Sequence, residues 1–257
     1  MPDPKRNPRT ALVTGAARRI GRALALALGE DGWDVAVHYH RSRDDAESVV
    51  REVRAHGVHS MAIECDLGEA QAAARLVPEA ARKLGPLSLL VNNASRFEYD
   101  DLDGFDPVRW ERHQAVNLRA PLLLAQAFAG QLQADTTGCI VNMLDQKVFN
   151  LNPDFLSYTL TKIALEGATR LMAQALAPRI RVCGIAPGIT LNSARQSDEN
   201  FRQAHRMAPL GTSSEVEDIV QALRYVVSAR ALTGATLIVD GGQHLWPLRR
   251  DVQFEAK

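Results

Sequence analysis

Short apolar segments alternate with longer helical segments along almost the whole chain, and this alternation limits the fold more than any other feature of the sequence. Most of the short segments are apolar on both faces, which is typical of strands buried in a parallel sheet. Because parallel strands need crossover connections, the pattern predicts an α/β fold with a doubly wound, seven-stranded parallel sheet flanked by helices. The predicted strands cover residues 10–15, 34–39, 60–66, 87–94, 138–144, 180–187 and 236–242, and the predicted helices cover 19–31, 43–56, 69–84, 107–133, 155–177 and 214–229.

No linker rich in proline, glycine or serine divides the 257 residues, so we predict one domain over residues 1–257, with its core at 10–242. Residues 188–211 are the longest stretch without a predicted strand or helix. Long loops of this kind are either lids over sites or mobile surface loops, and both alternatives stay open for this one.

Charge and composition exclude several classes of function. Lys and Arg number 30, and Asp and Glu also number 30, so the formal net charge is zero and no general field attracts nucleic acid. No window approaches the roughly 18 uninterrupted apolar residues of a membrane-spanning helix, and no apolar stretch of a signal peptide follows the N-terminal residues. We therefore expect a cytoplasmic protein without nucleic-acid or membrane partners.

The three cysteines lie far apart without metal-ligand spacing, so we expect buried thiols and no metal site.

The first predicted strand ends in a turn from Thr14 to Gly21 that leads directly into a helix. A helix N-terminus offers free backbone N–H groups and the positive end of the helix dipole, which suit a pyrophosphate. We therefore predict cofactor contacts at Gly15, Arg18 and Ile20. The spacing departs from the GxGxxG pattern of dinucleotide sites, and a simple tight turn is the alternative.

The end of the second predicted strand indicates which dinucleotide is bound. An acidic residue here would bind the ribose 2′-hydroxyl of NADH, but the sequence has His40, Arg41 and Ser42. These donors match a 2′-phosphate, so we predict NADPH as the cofactor. A solvated basic turn is the alternative.

Tyr158 and Lys162 are four residues apart in a predicted helix, so their side chains lie on one face and can reach a common ligand. Asp145 ends the strand before this helix, which places it at the same edge of the sheet. We expect Tyr158 to donate a proton. We expect Lys162 to lower the pKa of this phenol, which is about 10 when unperturbed, and to hold the nicotinamide ribose. The alternative is a surface tyrosine beside a solvated lysine.

Pro121 falls inside the predicted helix 107–133 and removes the N–H that would bond to the carbonyl oxygen of Asn117. A helix broken here would leave this carbonyl free to hold a water molecule that links Lys162 to solvent. A kink that serves only packing is the alternative.

Together these residues resemble the short-chain dehydrogenase/reductase family, and the resemblance covers the chain from residue 10 to residue 242. It implies a single-domain Rossmann fold in which Tyr158, Lys162, Asp145 and Asn117 are the catalytic set. It also implies adenine contacts from Asp66 and Leu67, cofactor contacts from Asn93 and Ala94, and contacts with the nicotinamide end from Pro187 and Gly188.

Two departures from the general family pattern indicate one branch of the family. Arg19 stands where the family usually has a glycine, and Asp145 stands where it usually has a serine. Both are similar to the pteridine reductase and dihydromonapterin reductase branch of the family. In that branch an aromatic ring at the position of Phe97 stacks the pterin against the nicotinamide, and a serine at the position of Ser95 helps to hold cofactor and substrate. Arg19 would reach a phosphate or the pterin.

The resemblance therefore implies an NADPH-dependent reductase of a small-molecule substrate, a pterin, with Tyr158 as proton donor and Asp145 orienting Tyr158 or the substrate. Two alternatives stay open. A carbonyl reductase of the same family would act on a 3-oxoacyl thioester or a small ketone, although a charged Asp145 would repel a developing alkoxide. A catalytically idle NADP-binding sensor or scaffold is the other alternative. The family also implies a homotetramer, built partly on the apolar helix 155–177.

Overall fold

The protein, described by a computed structural model over residues 9–192 and 196–256, is built on one parallel sheet. The strands are β1 (Thr10–Val13), β2 (Asp34–Tyr39), β3 (Ser60–Glu64), β4 (Leu89–Asn92), β5 (Gly138–Met143), β6 (Ile180–Pro187) and β7 (Thr236–Val239). They lie in the order β3-β2-β1-β4-β5-β6-β7, so the chain winds outward from β1 in one direction and from β4 in the other. The predicted doubly wound, seven-stranded sheet is confirmed. Five strands, β1, β3, β4, β5 and β7, end one to three residues earlier than predicted, and β4 also begins two residues later.

The helices are α1 (Arg19–Glu30), α2 (Arg43–Arg54), α3 (Ala70–Leu84), α4 (Pro107–Gln114), α5 (Ala120–Gln131), α6 (Leu156–Leu176), α7 (Asp198–Arg206), α8 (Val216–Ser228) and α9 (Val252–Glu255). Apolar residues of α1, α2 and α8 pack on one face of the sheet, and those of α3, α5 and α6 pack on the other. Among the described residues, no helix is long and apolar enough to cross a bilayer.

Strand β1 shows why its sequence lacks a polar face. Ala11 and Val13 join the apolar cluster that α1, α2 and α8 complete, whereas Leu12 points to the opposite side and joins the cluster of α3, α5 and α6. All three side chains have no solvent exposure. A strand covered on both faces must be apolar throughout, and this is the pattern from which the parallel sheet is predicted.

The structure corrects the predicted helix 107–133. The chain leaves α4 through a π-helical segment, Ala115–Arg119, and continues into α5. Pro121 has no N–H to pair with the carbonyl oxygen of Asn117. The wider turn, in which the N–H of Ala120 bonds to the carbonyl oxygen of Ala115, accommodates the proline without leaving the helix. The expectation of a helix broken at Pro121 is therefore wrong.

Residues 188–211 are not the helix-free loop that the sequence predicts, because they include α7. The Ser197 hydroxyl caps this helix by accepting a hydrogen bond from the N–H of Asn200 at 3.2 Å. Ser197 followed by Asp198 and Glu199 is a helix-start signal that the sequence already contains. Residues 193–195 of the predicted lid lie outside the described residues.

A side chain on Gly21 of α1 would collide with the turn after β1. An added Cβ atom would fall against the carbonyl oxygen of Gly15 and the side-chain amide of Asn93, nearer than unbonded atoms approach. We expect Gly21→Ala to lower the free energy of unfolding by about 1–3 kcal/mol, since the backbone must shift. In Gly167→Ala, within α6, the added Cβ would meet no described atom within 4 Å, so stability should rise by up to about 1 kcal/mol. Urea denaturation measures both, and changes of the same sign would contradict this account.

Candidate active site

A cleft of about 1370 Å³ opens at the carboxyl edge of the sheet. It lies where β1 and β4 are neighbours although their chains wind in opposite directions, the switch point at which sheets of this kind bind ligands. Ser42 lines a smaller adjoining pocket of about 350 Å³, and Asn117 lies behind the cleft wall. The other predicted site residues line the cleft itself: Gly15, Arg18, Ile20, His40, Arg41, Asp66, Leu67, Asn93, Ala94, Ser95, Phe97, Asp145, Tyr158, Lys162, Pro187 and Gly188.

The ends of β1 and β4 are locked together beneath the cleft. The N–H groups of Asn93 and Ala94 both donate to Thr14 Oγ1 at 2.9 Å, and the Asn93 side-chain amide donates to the Thr14 carbonyl oxygen at 2.8 Å. Thr14 is almost completely buried, so water does not compete for these bonds. The side-chain amide of Asn93 therefore helps to hold the ends of β1 and β4 together, and Asn93 also lines the cleft.

A buried histidine outside the predicted site holds the turn after β1. His38 Nδ1 accepts a hydrogen bond from the N–H of Gly15 at 2.9 Å, and Nε2 lies 3.0 Å from the carbonyl oxygen of Cys65. Burial lowers the pKa of His38 to about 4, so the ring is neutral at pH 7 and Nε2 carries the proton that Cys65 accepts. The N–H of Ala16 donates to the carbonyl oxygen of His38 at 2.9 Å. The fold thus occupies the N–H groups of Gly15 and Ala16, and a phosphate would meet those at the start of α1.

The surroundings of this turn fit the phosphates of a dinucleotide. Helix α1 begins at Arg19 without a side-chain cap, which leaves its first N–H groups available at the cleft. Arg41 lines both the cleft and the adjoining pocket that contains Ser42. Arg18, in the same place, pairs with Asp45 at 2.5 Å. Basic and hydroxyl side chains are therefore gathered on the side where the sequence predicts a 2′-phosphate.

Tyr158, Asp145 and Lys162 meet in the cleft. The Tyr158 hydroxyl donates to Asp145 Oδ2 at 2.7 Å, and the other carboxylate oxygen accepts from the N–H of Lys147 at 2.8 Å. Lys162 Nζ donates to the carbonyl oxygen of Met143 at 2.7 Å and lies 5.6 Å from the centroid of the Tyr158 ring. An ammonium group has three donors, so Lys162 retains capacity for the hydroxyls of a ligand.

The structure reverses the predicted effect on the phenol. Burial raises the pKa of Tyr158 well above its usual value, and the charge and hydrogen bond of Asp145 raise it further. A carboxylate, not the ammonium of Lys162, contacts the hydroxyl, so the expectation of a phenol with a pKa below its usual value is wrong. Tyr158 is protonated at pH 7 and is placed as an acid.

Burial shifts the pKa values of the two charged neighbours as well. The pKa of Asp145 is raised by burial, against the hydrogen bonds from the Lys147 N–H and the Tyr158 hydroxyl. Burial lowers the pKa of Lys162 to about 8, although the negative charge of Asp145 opposes this shift. Both shifts bring the protonation equilibria of these groups closer to neutral pH, which is typical of groups that exchange protons during a reaction.

Asn117 acts through its side chain. Its Oδ1 accepts from the N–H of Arg96 at 2.7 Å, and its Nδ2 donates to the Arg96 carbonyl oxygen at 2.9 Å and to Thr161 Oγ1 at 3.2 Å. These bonds tie the loop after β4 to α6, within one helical turn of Tyr158. The water relay from the Asn117 carbonyl oxygen stays a prediction.

Phe97 places an aromatic face beside the reacting groups. Its ring meets the ring of Tyr158 edge to face, with centroids 4.7 Å apart and planes at 80°, and it stacks on Phe155 at 4.3 Å and 17°. The side chain is 48% exposed although one of its faces is covered. Ser95 lies in the same wall, where its hydroxyl is 3.4 Å from Asn117 Oδ1. A flat aromatic ligand suits a ring presented in this way.

Arg19 does not point at the turn that it follows. Its backbone has φ +55°, in the left-handed region that favours glycine, which explains the glycine usual at this position in the family. The guanidinium donates to the carbonyl oxygens of Asn192 at 2.8 Å and Leu191 at 3.3 Å. Arg19 thus contacts the loop after β6 and also lines the cleft, and its expected reach to a phosphate or the pterin stays a prediction.

Sequence reasoning missed many of the residues that line the cleft, among them Lys147 and Asp251. Lys147 Nζ pairs with Asp251 Oδ2 at 2.9 Å, and both residues line the cleft. A lysine two residues after Asp145 was the available signal for the first. No signal indicated the second, because residues 246–256 carry no motif and lie far from Asp145 in the sequence.

Comparison with known proteins decides the family. A model of the family described as short chain dehydrogenase matches residues 9–203. The chain belongs to the short-chain dehydrogenase family. It is an oxidoreductase of that family, as its sequence motifs predict. Among curated relatives, the 3-oxoacyl-[acyl-carrier-protein] reductase FabG of Staphylococcus aureus is 34% identical over 242 residues, which cover 92% of this chain and 98% of the relative.

Solved structures of this family extend the comparison. FolM alternative dihydrofolate reductase 1 from Brucella canis, complexed with NADP, is 42% identical with a TM-score of 0.87, and the match covers 92% of this chain and 94% of that one. A short chain dehydrogenase from Burkholderia cenocepacia in complex with NADP is 31% identical with a TM-score of 0.86, covering 94% and 99%. Both of these relatives hold the type of cofactor that the sequence predicts here.

The lowered pKa of Lys162 predicts a pH limit on turnover. Below pH 8 the ammonium is charged and can support proton transfer from Tyr158, and above it this charge is lost. We therefore expect kcat/KM to fall with an apparent pKa of about 8. Lys162→Arg stays charged, so the fall should move to higher pH even where the maximal rate is lower. An identical fall in the pH–rate profiles of both proteins would assign it to another group.

Proposed function

We propose that this protein is an NADPH-dependent reductase that transfers hydride to a C=N bond of a pterin, of the dihydropterin or dihydromonapterin type. The observation that carries the proposal is the hydrogen bond between Tyr158 and the carboxylate of Asp145, beside the exposed ring of Phe97. A flat heteroaromatic ring stacks on an aromatic face, and a carboxylate accepts hydrogen bonds from its N–H groups. The 42% identity to a protein described as an alternative dihydrofolate reductase supports this substrate class.

NADPH, when bound, supplies the hydride. The N–H groups at the start of α1 would hold its pyrophosphate, and Arg41 and Ser42 would hold its 2′-phosphate. Lys162 Nζ would bind the hydroxyls of the nicotinamide ribose. Further predicted contacts come from the cleft walls: His40, Asp66 and Leu67 on the adenine side, Asn93, Ala94 and Ser95 along the middle, and Pro187 and Gly188 at the nicotinamide end.

Tyr158 holds the proton that the reduced nitrogen requires. Its raised pKa keeps the hydroxyl protonated at neutral pH, and Asp145 fixes the direction of the O–H bond. As the proton leaves, the nearby charge of Lys162 stabilises the phenolate that forms. Asn117 acts one step further away, because it fixes the loop that carries Ser95 to the helix that carries Tyr158.

Reduction of a 3-oxoacyl thioester is the second candidate function. It is favoured by the 34% identity to the FabG reductase, which extends over almost the whole of both chains. Asp145 opposes it, because a carboxylate 2.7 Å from the proton donor would repel the alkoxide that forms from a carbonyl group. A ring nitrogen is more basic than a carbonyl oxygen and can take up its proton before or with the hydride, so that no negative charge develops beside Asp145.

Substrate comparison separates the candidates. NADPH oxidation at 340 nm is followed with a 7,8-dihydropterin, with an acetoacetyl thioester and with small diketones. We expect kcat/KM to be highest for the dihydropterin. Turnover confined to thioesters or ketones would overturn the pterin assignment, and NADPH binding without turnover of any substrate would favour the sensor.

Two variants test the roles within the site. Tyr158→Phe should lower kcat by about a hundredfold or more with little change in NADPH affinity, because it removes the acid alone. Tyr225→Phe, on the exposed surface of α8, is the matched control and should leave kcat unchanged. Asp145→Ser should reduce turnover of the dihydropterin more than turnover of the thioester, and an equal loss on both would contradict its proposed part in substrate choice.

We further propose that the protein is a cytoplasmic homotetramer. Helix α6 carries apolar side chains that stay exposed in the single chain, Leu171 at 67% and Leu160 at 39%. Exposed apolar residues along a helix are typical of an interface between subunits. Light scattering should give four times the mass of the chain, and Leu171→Glu should reduce it. A monomeric mass for the unaltered protein would contradict the proposal.

A further inference from the structure

Residues 246–256, called here the 246–256 segment, fold back onto the cleft and form one of its walls. Arg250 donates to both carboxylate oxygens of the buried Asp154, and the N–H of Asp251 donates to the same carboxylate at 2.6 Å. The side chain of Asn200 in α7 donates to the carbonyl oxygen of Gln253 at 3.1 Å. Asp251 and Gln253 thereby line the cleft. The segment packs against its own chain.

Asp251 is the point at which this segment touches the reaction site. Its Oδ2 pairs with Lys147 Nζ at 2.9 Å, and the Lys147 side chain is only 4% exposed. The backbone N–H of Lys147 donates to Asp145 Oδ1, so one residue links the pair to the carboxylate beside Tyr158. A buried ion pair adds little stability over an apolar pair of the same size, and such pairs are retained where they define a conformation.

The same segment also completes a stack of aromatic rings. Phe254 stacks on Phe155 at 6.2 Å and 14°, and Phe155 stacks on Phe97 at 4.3 Å and 17°. Lys147 Nζ lies 5.1 Å from the centroid of the Phe155 ring. Phe155 has φ +56°, a left-handed conformation that a phenylalanine adopts only when its surroundings hold it. The ion pair and Phe254 supply such surroundings.

We propose that Asp251 is a positioning residue that determines specificity: by holding Lys147 and the 246–256 segment, it fixes Phe155 and hence the orientation of the Phe97 face that receives the substrate. The inference rests on the proposed function, because it assumes that a flat heteroaromatic ring lies on Phe97. It assigns the binding of the ring mainly to this part of the chain, since the charge of Asp251 makes only the smallest of the contributions that raise the pKa of Tyr158.

This role predicts a selective defect. The whole ring of a pterin would stack on Phe97, so its binding depends on the orientation of that side chain. An acyl thioester or a small ketone has no flat ring to stack. Loss of the ion pair between Asp251 and Lys147 should therefore raise KM for a dihydropterin while kcat and the affinity for NADPH change little. A residue that merely stabilises the fold would instead affect all substrates alike.

The test compares Asp251→Asn with Asp251→Glu and Glu255→Gln. The first removes the charge that holds Lys147, the second restores it, and the third removes one charge from the same segment without touching the ion pair. We expect KM for a 7,8-dihydropterin to rise about tenfold in Asp251→Asn, to recover in Asp251→Glu and to stay unchanged in Glu255→Gln. Phe254→Leu, which removes the outermost ring, should raise the same KM. Melting temperatures and NADPH titrations accompany each variant.

Several results would overturn the proposal. One is an unchanged KM in Asp251→Asn while the unaltered protein reduces dihydropterins. Another is a loss of kcat and NADPH affinity together with a lowered melting temperature, which indicates a structural role. Titrating a dihydropterin into the NADP⁺-loaded protein measures binding separately from turnover. It therefore distinguishes failure of the proposed pterin reduction from failure of the proposed role of Asp251. Binding without turnover, weakened in Asp251→Asn, would overturn the proposed function and support the role of Asp251, whereas no binding would overturn both.

Discussion

The neighbouring positions of β1 and β4 are the constraint on which the remaining structure depends. Two parallel strands whose crossovers leave in opposite directions cannot both be covered at their carboxyl ends, so a cleft opens between the connections. Hydrogen bonds from Asn93 and Ala94 to Thr14 hold this edge, and His38 holds the turn beside it. Most functional side chains reach the cleft from a strand end or from the helix that follows it, and Asp251 reaches it from the 246–256 segment. The sheet topology therefore determines where the cleft lies, whichever side chains line it.

Within the cleft, the low exposure of the reacting groups determines how their protons are held. A phenol that contacts a carboxylate keeps its proton, because the neighbouring negative charge and burial both disfavour the phenolate. Lys162 is close enough to stabilise charge that develops later, yet its own hydrogen bond goes to Met143. The Tyr158 phenol thus keeps its proton until a reaction removes it, and the phenolate does not form in advance. Spacing along a helix shows which groups are neighbours, but not which of them is in contact.

The sequence is sufficient for the sheet and most helices, and nearly all of the site residues that it predicts do line the cleft. Buried strands and the residues at their carboxyl ends follow local rules. It is insufficient where the outcome depends on distant contacts. The sign of the pKa shift at Tyr158 depends on which charged neighbour touches the hydroxyl, and the direction of the Arg19 side chain depends on a loop some 170 residues away. The part played by Asp251 depends on a chain path that no periodicity encodes. Pro121 shows a further limit, since a missing N–H is compatible with a break and with a wider turn.

The contact of Arg19 with the loop after β6 has a consequence for how that loop is held at the cleft. Its guanidinium spans from the helix start expected to hold the pyrophosphate to the carbonyl oxygens of Leu191 and Asn192. The loop cannot move outward without breaking both hydrogen bonds, and the residue that bears them is already held in a left-handed backbone conformation. The position of the loop at this edge of the cleft is thereby tied to the start of α1 through the side chain of one arginine.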